Sequence, residues 1–393
     1  MGRMLEPSKF GEVASLMGLF AIIAVPAVAL TRLMAKYTAG FKAKKEISLI
    51  GDLVKLVTRR SLIIGLAMLV VFCLLIPFLS EFFKIDKLPF LIFGLALPIS
   101  LITAVNQGIL QGLQKFTHFS LIGVIGSMAK LILAVVFVIL GFSVPGVMAA
   151  LVLSGFCAYL YGLFKVKQQL KAETINQKKQ TKLQIPWKEV RSYASVIFWT
   201  SLLLVLLLNV DIILAKHYLS PYLAGQYAVL SLIGKIIIYG SGAFVTVMFP
   251  MVSAARANGD GKEKNLLKMS FIIIAGVSGL TLILFVLFPQ LVIKMLFGAK
   301  YLSVAPYLHW FGLAMLFSAL AQVLIQYFMA IHYRKHLYPF GLIIALQVLL
   351  VVFFHANIWQ ITFAILSSNF ILLAAMIIVY YIQTLRTKVY EKF

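Results

Sequence analysis

The chain has 393 residues, of which 62% are hydrophobic and only 12% are charged, and its mean hydropathy is +1.01. Soluble globular proteins carry about twice that share of charged residues, so the composition excludes a soluble domain and predicts an all-α polytopic membrane protein. The formal net charge of +23 would suit a nucleic-acid-binding protein, but its distribution along the chain, described below, argues against nucleic acid as a partner.

Eleven apolar segments follow a short polar start, and each is about long enough to cross a bilayer as a helix. Their approximate bounds are 10–34, 61–80, 88–112, 119–141, 145–166, 192–215, 224–250, 269–290, 307–330, 338–355 and 359–384. Pro26, Pro98 and Gly242 fall inside these segments, where we expect them to kink the helix. Cys73 and Cys157 also lie within apolar segments and are predicted to be packing residues, not a disulfide.

A polar loop without strong periodicity occupies residues 167–191. We interpret this loop as a cytoplasmic linker between two membrane domains. It divides the chain into an N-terminal transmembrane bundle at 1–166 and a C-terminal transmembrane bundle at 192–393.

Positive charge alternates between the loops on the two sides of the predicted membrane. One set of loops, which includes 35–60, 167–191 and 252–268, holds most of the 35 lysines and arginines. The loops of the other set hold Arg3, Lys9, Lys84, Lys87, Lys216, Lys294 and Lys300. Because cytoplasmic loops are enriched in Lys and Arg, the first set is predicted to be cytoplasmic, with residue 1 external and the C-terminus cytoplasmic. The net charge thus reflects topology and contact with bilayer lipids.

The beginning of the chain is repeated near its middle. LEPSKFGEVASL at 5–16 aligns with LSPYLAGQYAVL at 219–230, which places Gly11 opposite Gly225 at an offset of 214. The second copy is preceded by the predicted span 192–215, whereas no such span precedes the first copy. We therefore expect two six-helix bundles related by an axis along the membrane normal, with the first helix of the first bundle missing from the chain.

A single lysine, Lys235, lies near the middle of the predicted span 224–250. Around it, one stripe of small and polar residues recurs at helical spacing: Ala228, Ser231, Lys235, Tyr239, Gly242 and Thr246. A charge at the centre of a span costs about 2.5–3.5 kcal/mol, so it needs water or a partner. The stripe indicates either a substrate or ion pathway or a structural lysine paired inside the bundle.

Two further cations lie inside predicted spans. The repeat offset places Arg32 on the equivalent face of the first copy, where it either faces a cavity or extends to the membrane surface. Lys130 lies at the midpoint of the span 119–141, too deep to reach either surface easily. It either faces a cavity or is a buried structural charge with a partner.

The only two acids within the bounds of the predicted spans are Glu12 and Asp211, both toward the external side. Asp211 could pair with a cavity cation, relay a proton or bind Na⁺, and it could equally cap a structural contact. Glu12 is a similar candidate for coupling, but Lys9 is one turn away and either side chain could be solvated. Three cations against two peripheral acids favour an anionic substrate. Phosphate and pyrophosphate head groups are the obvious candidates in a membrane.

Amide side chains interrupt several apolar segments. Gln107 and Gln111, and likewise Gln322 and Gln326, are four residues apart, so each pair shares one helix face, with Asn106 beside the first pair. Amides suit sugar hydroxyl groups, but hydrogen bonds between helices explain them equally well. Because the sequence has no metal-ligand spacing, nucleophile motif or paired carboxylates, no metal, cofactor or enzyme active site is predicted.

Several of these segments together resemble a known family. AGQYAVLSLIGK and VMFPMVSAARANGD after Asp211, with FGEVASLMGLF and TRLMAKYTAG in the first copy, are similar to Wzx-type polysaccharide flippases of the multidrug/oligosaccharidyl-lipid/polysaccharide (MOP) exporter superfamily. The resemblance implies two six-helix bundles around a central cavity with alternating access. It also implies flipping of polyprenyl-pyrophosphate-linked oligosaccharides across a bacterial or archaeal cytoplasmic membrane, for cell-surface polysaccharide biosynthesis.

On this interpretation Arg32, Lys130 and Lys235 hold the anionic head group, the amides and Tyr239 contact sugar, and a monomer couples flipping to H⁺ or Na⁺. A lipid II flippase would use the same cations. A drug or organic-cation antiporter of the same superfamily would need cavity acids, which are scarce here. A membrane glycosyltransferase or polymerase would need catalytic acids or a large external loop, and the sequence has neither.

Overall fold

The structure is a computed structural model, and every secondary-structure element that it describes is a helix. The described residues are 2–43, 46–174, 187–242, 244, 248, 251–252, 263–331 and 333–390. The predicted all-α fold is therefore confirmed. Thr246, at the end of the predicted stripe, lies outside the described residues.

The helices before the predicted linker are numbered in chain order. They are α1 (Pro7–Ile23), α2 (Val25–Ala43), α3 (Ile47–Phe83), α4 (Lys87–Gly94), α5 (Ala96–Gly112), α6 (Phe116–Ile139) and α7 (Ser143–Thr174).

The helices after the linker include two short 3₁₀ segments, Ala299–Val304 and Arg334–His336. The α-helices are α8 (Trp187–Tyr218), α9 (Pro221–Gly234), α10 (Glu263–Leu287), α11 (Pro289–Leu296), α12 (Ala305–Ala330), α13 (Leu337–Phe353) and α14 (Ile358–Tyr390). Beyond Lys235 the chain is again helical as far as residue 242.

The predicted number of membrane spans is also confirmed within the described residues. Ten helices there are long and apolar enough to cross a membrane, and the bent pair α1 and α2 makes an eleventh if it counts as one span. Each of the eleven coincides with one predicted segment. The ends differ by up to nine residues, and by 13 at the start of α3, whose span begins at Ser48 and not at residue 61.

Both predicted proline kinks are present, whereas the kink expected at Gly242 stays a prediction because residue 243 lies outside the described residues. The α1–α2 pair bends by 42° at Ala24, two residues before Pro26. A second break, at Leu95, separates α4 from α5 and precedes Pro98 by three residues. Proline has no N–H to donate to the carbonyl four residues earlier, and its ring crowds that carbonyl, so the helix opens on the N-terminal side.

The chain divides into two units. The first unit consists mainly of Leu16–Val205, in which α6 packs along α7 and α2 along α5. The second unit consists of Leu206–Phe393 together with Glu6–Ser15, and in it α12 packs against α10 and α14. The boundaries predicted from the sequence remain a prediction, because residues 175–186 of the linker lie outside the described part of the chain.

The first half of α1 packs within the second unit through the two glycines matched by the sequence repeat. A Cβ atom on Gly11 would lie 2.9 Å from the backbone nitrogen of Gly225, and a Cβ on Gly225 would collide with the carbonyl oxygen of Pro7. The ring of Phe10, beside this crossing, packs edge-on against Phe297 at a centroid distance of 5.6 Å. Only glycine permits helices α1 and α9 to approach this closely.

The outward surfaces of the helices are apolar. The most hydrophobic windows of α3 and α6 are only 17% and 11% buried, as expected for helices that face lipid. Cys73 and Cys157 are both exposed, so the prediction that they are packing residues is wrong. In a segment that is apolar on every face, periodicity does not distinguish the packed face from the face that contacts lipid.

Candidate functional site

The first unit contains a cavity of about 310 Å³, lined by residues of α1, α2, α5, α6 and α7. Most of the lining is small or apolar, with Ala27, Ala104 and Gly126 among its members. Its polar members are Thr31, Ser100, Thr103, Gln107, Ser127, Lys130 and Ser154. None of the described residues that line this cavity is acidic, so its one cationic side chain, Lys130, sets the sign of the charge there.

Lys130 lies deep in α6, and its side chain is half-buried. The structure gives it no hydrogen bond or ion pair with any of the residues that it describes. Gly123, Gly126 and Ser127, one and two turns earlier, line the same cavity and leave space beside the lysine. Of the two alternatives that the sequence leaves open for Lys130, the geometry favours a cation that faces a cavity over one paired in the core.

Four of the five hydroxyl groups that line this cavity donate to a backbone carbonyl of their own helix. Ser100 Oγ donates to the Leu97 carbonyl at 2.7 Å, and Thr103 Oγ1 donates to the Ile99 carbonyl at 2.7 Å. Thr31 Oγ1 likewise donates to the Ala27 carbonyl at 3.0 Å. Each oxygen therefore presents lone pairs to the cavity, which suits a donor such as a sugar hydroxyl better than a phosphate oxygen.

The second unit contains a buried ion pair, between Asp211 of α8 and Lys235 at the end of α9. Lys235 Nζ lies 3.1 Å from Asp211 Oδ1 and 3.3 Å from Oδ2. Ser231 Oγ donates to Oδ2 at 2.7 Å, and Tyr227 Oη donates to the same oxygen at 3.2 Å. Asp211 is 1% exposed and Lys235 is 2% exposed, so this cluster is closed to solvent.

Helical spacing brings these three donors to one carboxylate. Tyr227, Ser231 and Lys235 are four residues apart, so their side chains point from one face of α9 toward α8. The helix has a break at Lys235, whose backbone φ of −67° and ψ of −9° end the regular turn. Ser220 begins the helix by accepting a hydrogen bond from the Leu223 N–H at 3.4 Å. The sequence analysis missed Tyr227, although its spacing of four residues from Ser231 was available as a signal.

The predicted stripe around Lys235 is therefore not a single surface. Ser231 and Lys235 face Asp211, whereas Tyr239 is 65% exposed and takes no part in this cluster. A lysine buried at mid-membrane depth requires a partner, and for Lys235 that partner is a carboxylate of the same unit. The sequence analysis gave this as one of two alternatives: a structural lysine paired inside the bundle. Whether Lys235 also binds substrate, and whether Asp211 couples an ion, remain predictions.

The other two predicted charges lie apart from both sites. Arg32 is half-buried in α2, beside Thr31, and does not line the cavity of the first unit. Glu12 of α1 is 8% exposed and accepts a hydrogen bond from Lys9 Nζ at 3.0 Å, with the lysine side chain 44% exposed. An ion pair with one exposed partner one turn away contributes little to stability.

The predicted amide residues lie in different surroundings, and whether any of them contacts sugar stays a prediction. Gln107 lines the cavity with Lys130. Asn106 is 2% exposed, and its Nδ2 lies 3.4 Å from the Tyr159 carbonyl, so it joins helices. Gln111 and Gln326 are half-buried.

The buried amides of the second unit include one that the sequence analysis did not select. Gln322 has a buried Nε2 with no hydrogen-bond partner among the described residues. Gln347 is fully buried, and its Nε2 donates to the Leu207 carbonyl at 3.3 Å. In the described part of the chain, no group of three or more His, Cys, Asp or Glu side chains is arranged to hold a metal ion.

Comparison with known proteins adds a family and a fold. The chain matches the model of a family described as polysaccharide biosynthesis protein over residues 1–306. It is similar to the inward-facing structure of a multidrug resistance MATE family transporter of the MOP superfamily, with a TM-score of 0.81 and 14% identity over 100% of this chain and 94% of that chain. It is also similar to the lipid II flippase MurJ in an inward closed conformation, with a TM-score of 0.68 and 12% identity over 96% and 82% of the two chains. No curated protein matches the chain. At these identities the structural likeness shows a shared fold of two helical bundles.

Proposed function

The chain belongs to the polysaccharide biosynthesis protein family and is a membrane transporter of the MOP superfamily, and on that premise we propose that it flips polyprenyl-pyrophosphate-linked oligosaccharides across the cytoplasmic membrane. Such a substrate has an anionic diphosphate, a neutral sugar portion and an apolar tail. A protein that carries it needs a cation for the diphosphate and hydrogen-bonding groups for the sugar.

The cavity around Lys130 is the observation that carries this proposal. It combines one cation and one amide with hydroxyl oxygens that act as acceptors, and no acidic residue among those described lines it. A site for an organic cation would need the opposite charge. In a partly dehydrated space, an ammonium group attracts a diphosphate more strongly than it would in water.

The size of the cavity limits which part of the substrate it holds. At about 310 Å³, it lies at the lower end of the range of about 300–1,000 Å³ that small-molecule sites span. That volume suits a diphosphate and the sugar attached to it, and excludes a whole oligosaccharide. We propose that Lys130 contacts the diphosphate, that Gln107 contacts the first sugar, and that the lipid tail remains in the bilayer.

We also propose, from the sequence, that the transporter is a monomer that works by alternating access and couples transport to H⁺ or Na⁺. Its proposed location is the cytoplasmic membrane, with residue 1 external. Asp211 and Glu12 each have a lysine partner in the structure, so the proposal for the substrate is carried by Lys130 and does not depend on either acid.

The proposal is tested by glycan export in a strain that lacks its own flippase. We expect Lys130→Ala to reduce export about ten- to a hundredfold, because a hydrogen bond to a charged group is worth about 1.5–3 kcal/mol. Lys130→Arg should retain part of the activity, because the charge stays while its shape changes. Lys264→Ala, which removes an exposed lysine at the start of α10, is the matched control.

Binding is measured separately with purified protein and a short-chain polyprenyl pyrophosphate. Lys130→Ala should weaken that binding and Lys264→Ala should not. Full export and unchanged binding by Lys130→Ala would overturn the proposal.

Complementation of a strain depleted of its lipid II flippase, with no complementation of glycan export, would assign the substrate to lipid II. Efflux of organic cations alone would assign the chain to the drug-exporting branch.

The proposed orientation has its own test. After replacement of the exposed Cys73 and Cys157 by serine, single cysteines are introduced in the loops 35–60, 167–191 and 252–268. A membrane-impermeant thiol reagent added to intact cells should label none of them, because all three loops are predicted to be cytoplasmic. Labelling of the 167–191 loop from outside would reverse the orientation.

A further inference from the structure

Three side chains of the second unit donate hydrogen bonds to the Asp211 carboxylate. Oδ2 accepts from Ser231 at 2.7 Å and from Tyr227 at 3.2 Å, and Lys235 Nζ lies within 3.3 Å of both oxygens. Asp211 and Lys235 are 1% and 2% exposed, so no solvent competes for these contacts. The ammonium group is placed between the two oxygens, where a carboxylate chelates a small cation.

A carboxylate buried in an apolar bundle has to be compensated, because an isolated charge there is very costly. A transporter can obtain the compensating charge from solution, as H⁺ or Na⁺, or from one of its own side chains. Here the compensating group is covalently attached, and it cannot be exchanged during transport. We infer that Lys235 is a built-in counter-cation that replaces a dissociable ion at Asp211, so that the second unit binds no Na⁺ at this carboxylate.

The same geometry predicts what would happen without the lysine. Removal of the side chain leaves the carboxylate with two hydroxyl groups, those of Tyr227 and Ser231, facing the vacated space. A hydroxyl can rotate to present its lone pairs, and hard cations prefer oxygen ligands. Loss of Lys235 should therefore create a Na⁺ site that the native protein lacks. This inference concerns the second unit alone and does not depend on which substrate is carried.

The test measures Na⁺-dependent thermal unfolding of the purified full-length protein. Sodium chloride is compared with choline chloride at equal ionic strength and mildly alkaline pH, where protons compete least for a carboxylate. A ligand that binds only the folded state raises the apparent Tm. We expect no Na⁺-specific shift in the native protein, and a saturable rise of a few degrees in Lys235→Ala.

The double variant Asp211→Asn/Lys235→Ala is the matched control, because it has the same vacated space without the carboxylate. It should show no Na⁺-specific shift. Ethylammonium, which supplies the missing ammonium group as a free molecule, should stabilise Lys235→Ala in competition with Na⁺. It should leave the double variant unchanged.

Two results would overturn the inference. One is a Na⁺-specific shift in the native protein that the double variant loses, because Asp211 would then bind an external ion with Lys235 in place. The other is a folded Lys235→Ala protein that shows no Na⁺-specific shift. If Lys235→Ala cannot be purified, Lys235→Ser, which adds a further oxygen, is measured in its place, and the native protein still decides the first outcome. Because the readout is ion binding, failure here leaves the proposed glycan substrate unaffected.

Discussion

Two lysines lie deep in apolar helices of this protein, and their surroundings are opposite. Lys235, in the second unit, is 2% exposed and paired with Asp211 at 3.1 Å. Lys130, in the first unit, is half-buried in the wall of a cavity lined by no acidic residue among those described. The sequence assigned both to substrate binding on the same argument, that a charge at this depth is costly. The comparison teaches that depth sets the cost of a charge, whereas the groups around it set its role.

The largest loss of stability is expected when Lys235 is deprived of its partner, Asp211. Asp211→Ala leaves a buried ammonium without its carboxylate, and loss of one partner of a buried pair costs about 3–5 kcal/mol. We expect a strongly lowered apparent Tm in detergent and reduced protein in the membrane. Asp211→Ala/Lys235→Met removes both charges and should recover most of that loss. Normal stability of Asp211→Ala alone would mean that the ion pair is not structural.

A smaller effect is expected from the hydroxyl groups that support the carboxylate. Ser231→Ala removes the 2.7 Å hydrogen bond to Asp211 and should cost about 1.5–3 kcal/mol, as for other hydrogen bonds to charged groups. Tyr227→Phe removes the longer bond of 3.2 Å and should cost less. Both are measured as shifts in apparent Tm. Equal shifts in the Asp211→Ala/Lys235→Met background, which has no side-chain acceptor at position 211, would show that the hydroxyls act through packing and not through the carboxylate.

The smallest effect on stability is expected at Lys130. Because no described residue forms a hydrogen bond or ion pair with it, Lys130→Met should change the stability by no more than about 0.5 kcal/mol. The same variant should lose export activity if the lysine binds the head group. Apparent Tm and export are measured on the same preparations. If Lys130→Met lost several kcal/mol of stability, Lys130 would be a structural residue of the core, as Lys235 is.

The sequence predicted the helices well, because a span of about 20 apolar residues bounded by charged loops has few alternatives. It also placed the breaks near Pro26 and Pro98, since proline removes a specific helical hydrogen bond. It did not place the break at Lys235, although Gly234 directly precedes it.

The sites were harder to predict, because they depend on which helices meet. Asp211 and Lys235 lie on two successive helices, 24 residues apart in the sequence, so neither periodicity nor spacing could show that they are in contact. The exposed positions of Cys73 and Cys157 were missed for a related reason: the surrounding residues are apolar on all sides. The cavity hydroxyls of α2 and α5 were overlooked because serine and threonine are common in membrane helices, where they bond to the preceding turn.

The crossing of Gly11 and Gly225 has a consequence for biosynthesis. Residues 6–15 are made before the helix on which they pack, because α9 is translated some 214 residues later. At bacterial or eukaryotic elongation rates of about 5–20 residues per second, that segment waits for tens of seconds without its final partner. A gene split between α7 and α8 would therefore not yield two self-sufficient halves. The C-terminal fragment would lack the ten residues that cover α9, and co-expression of the N-terminal fragment would have to supply them.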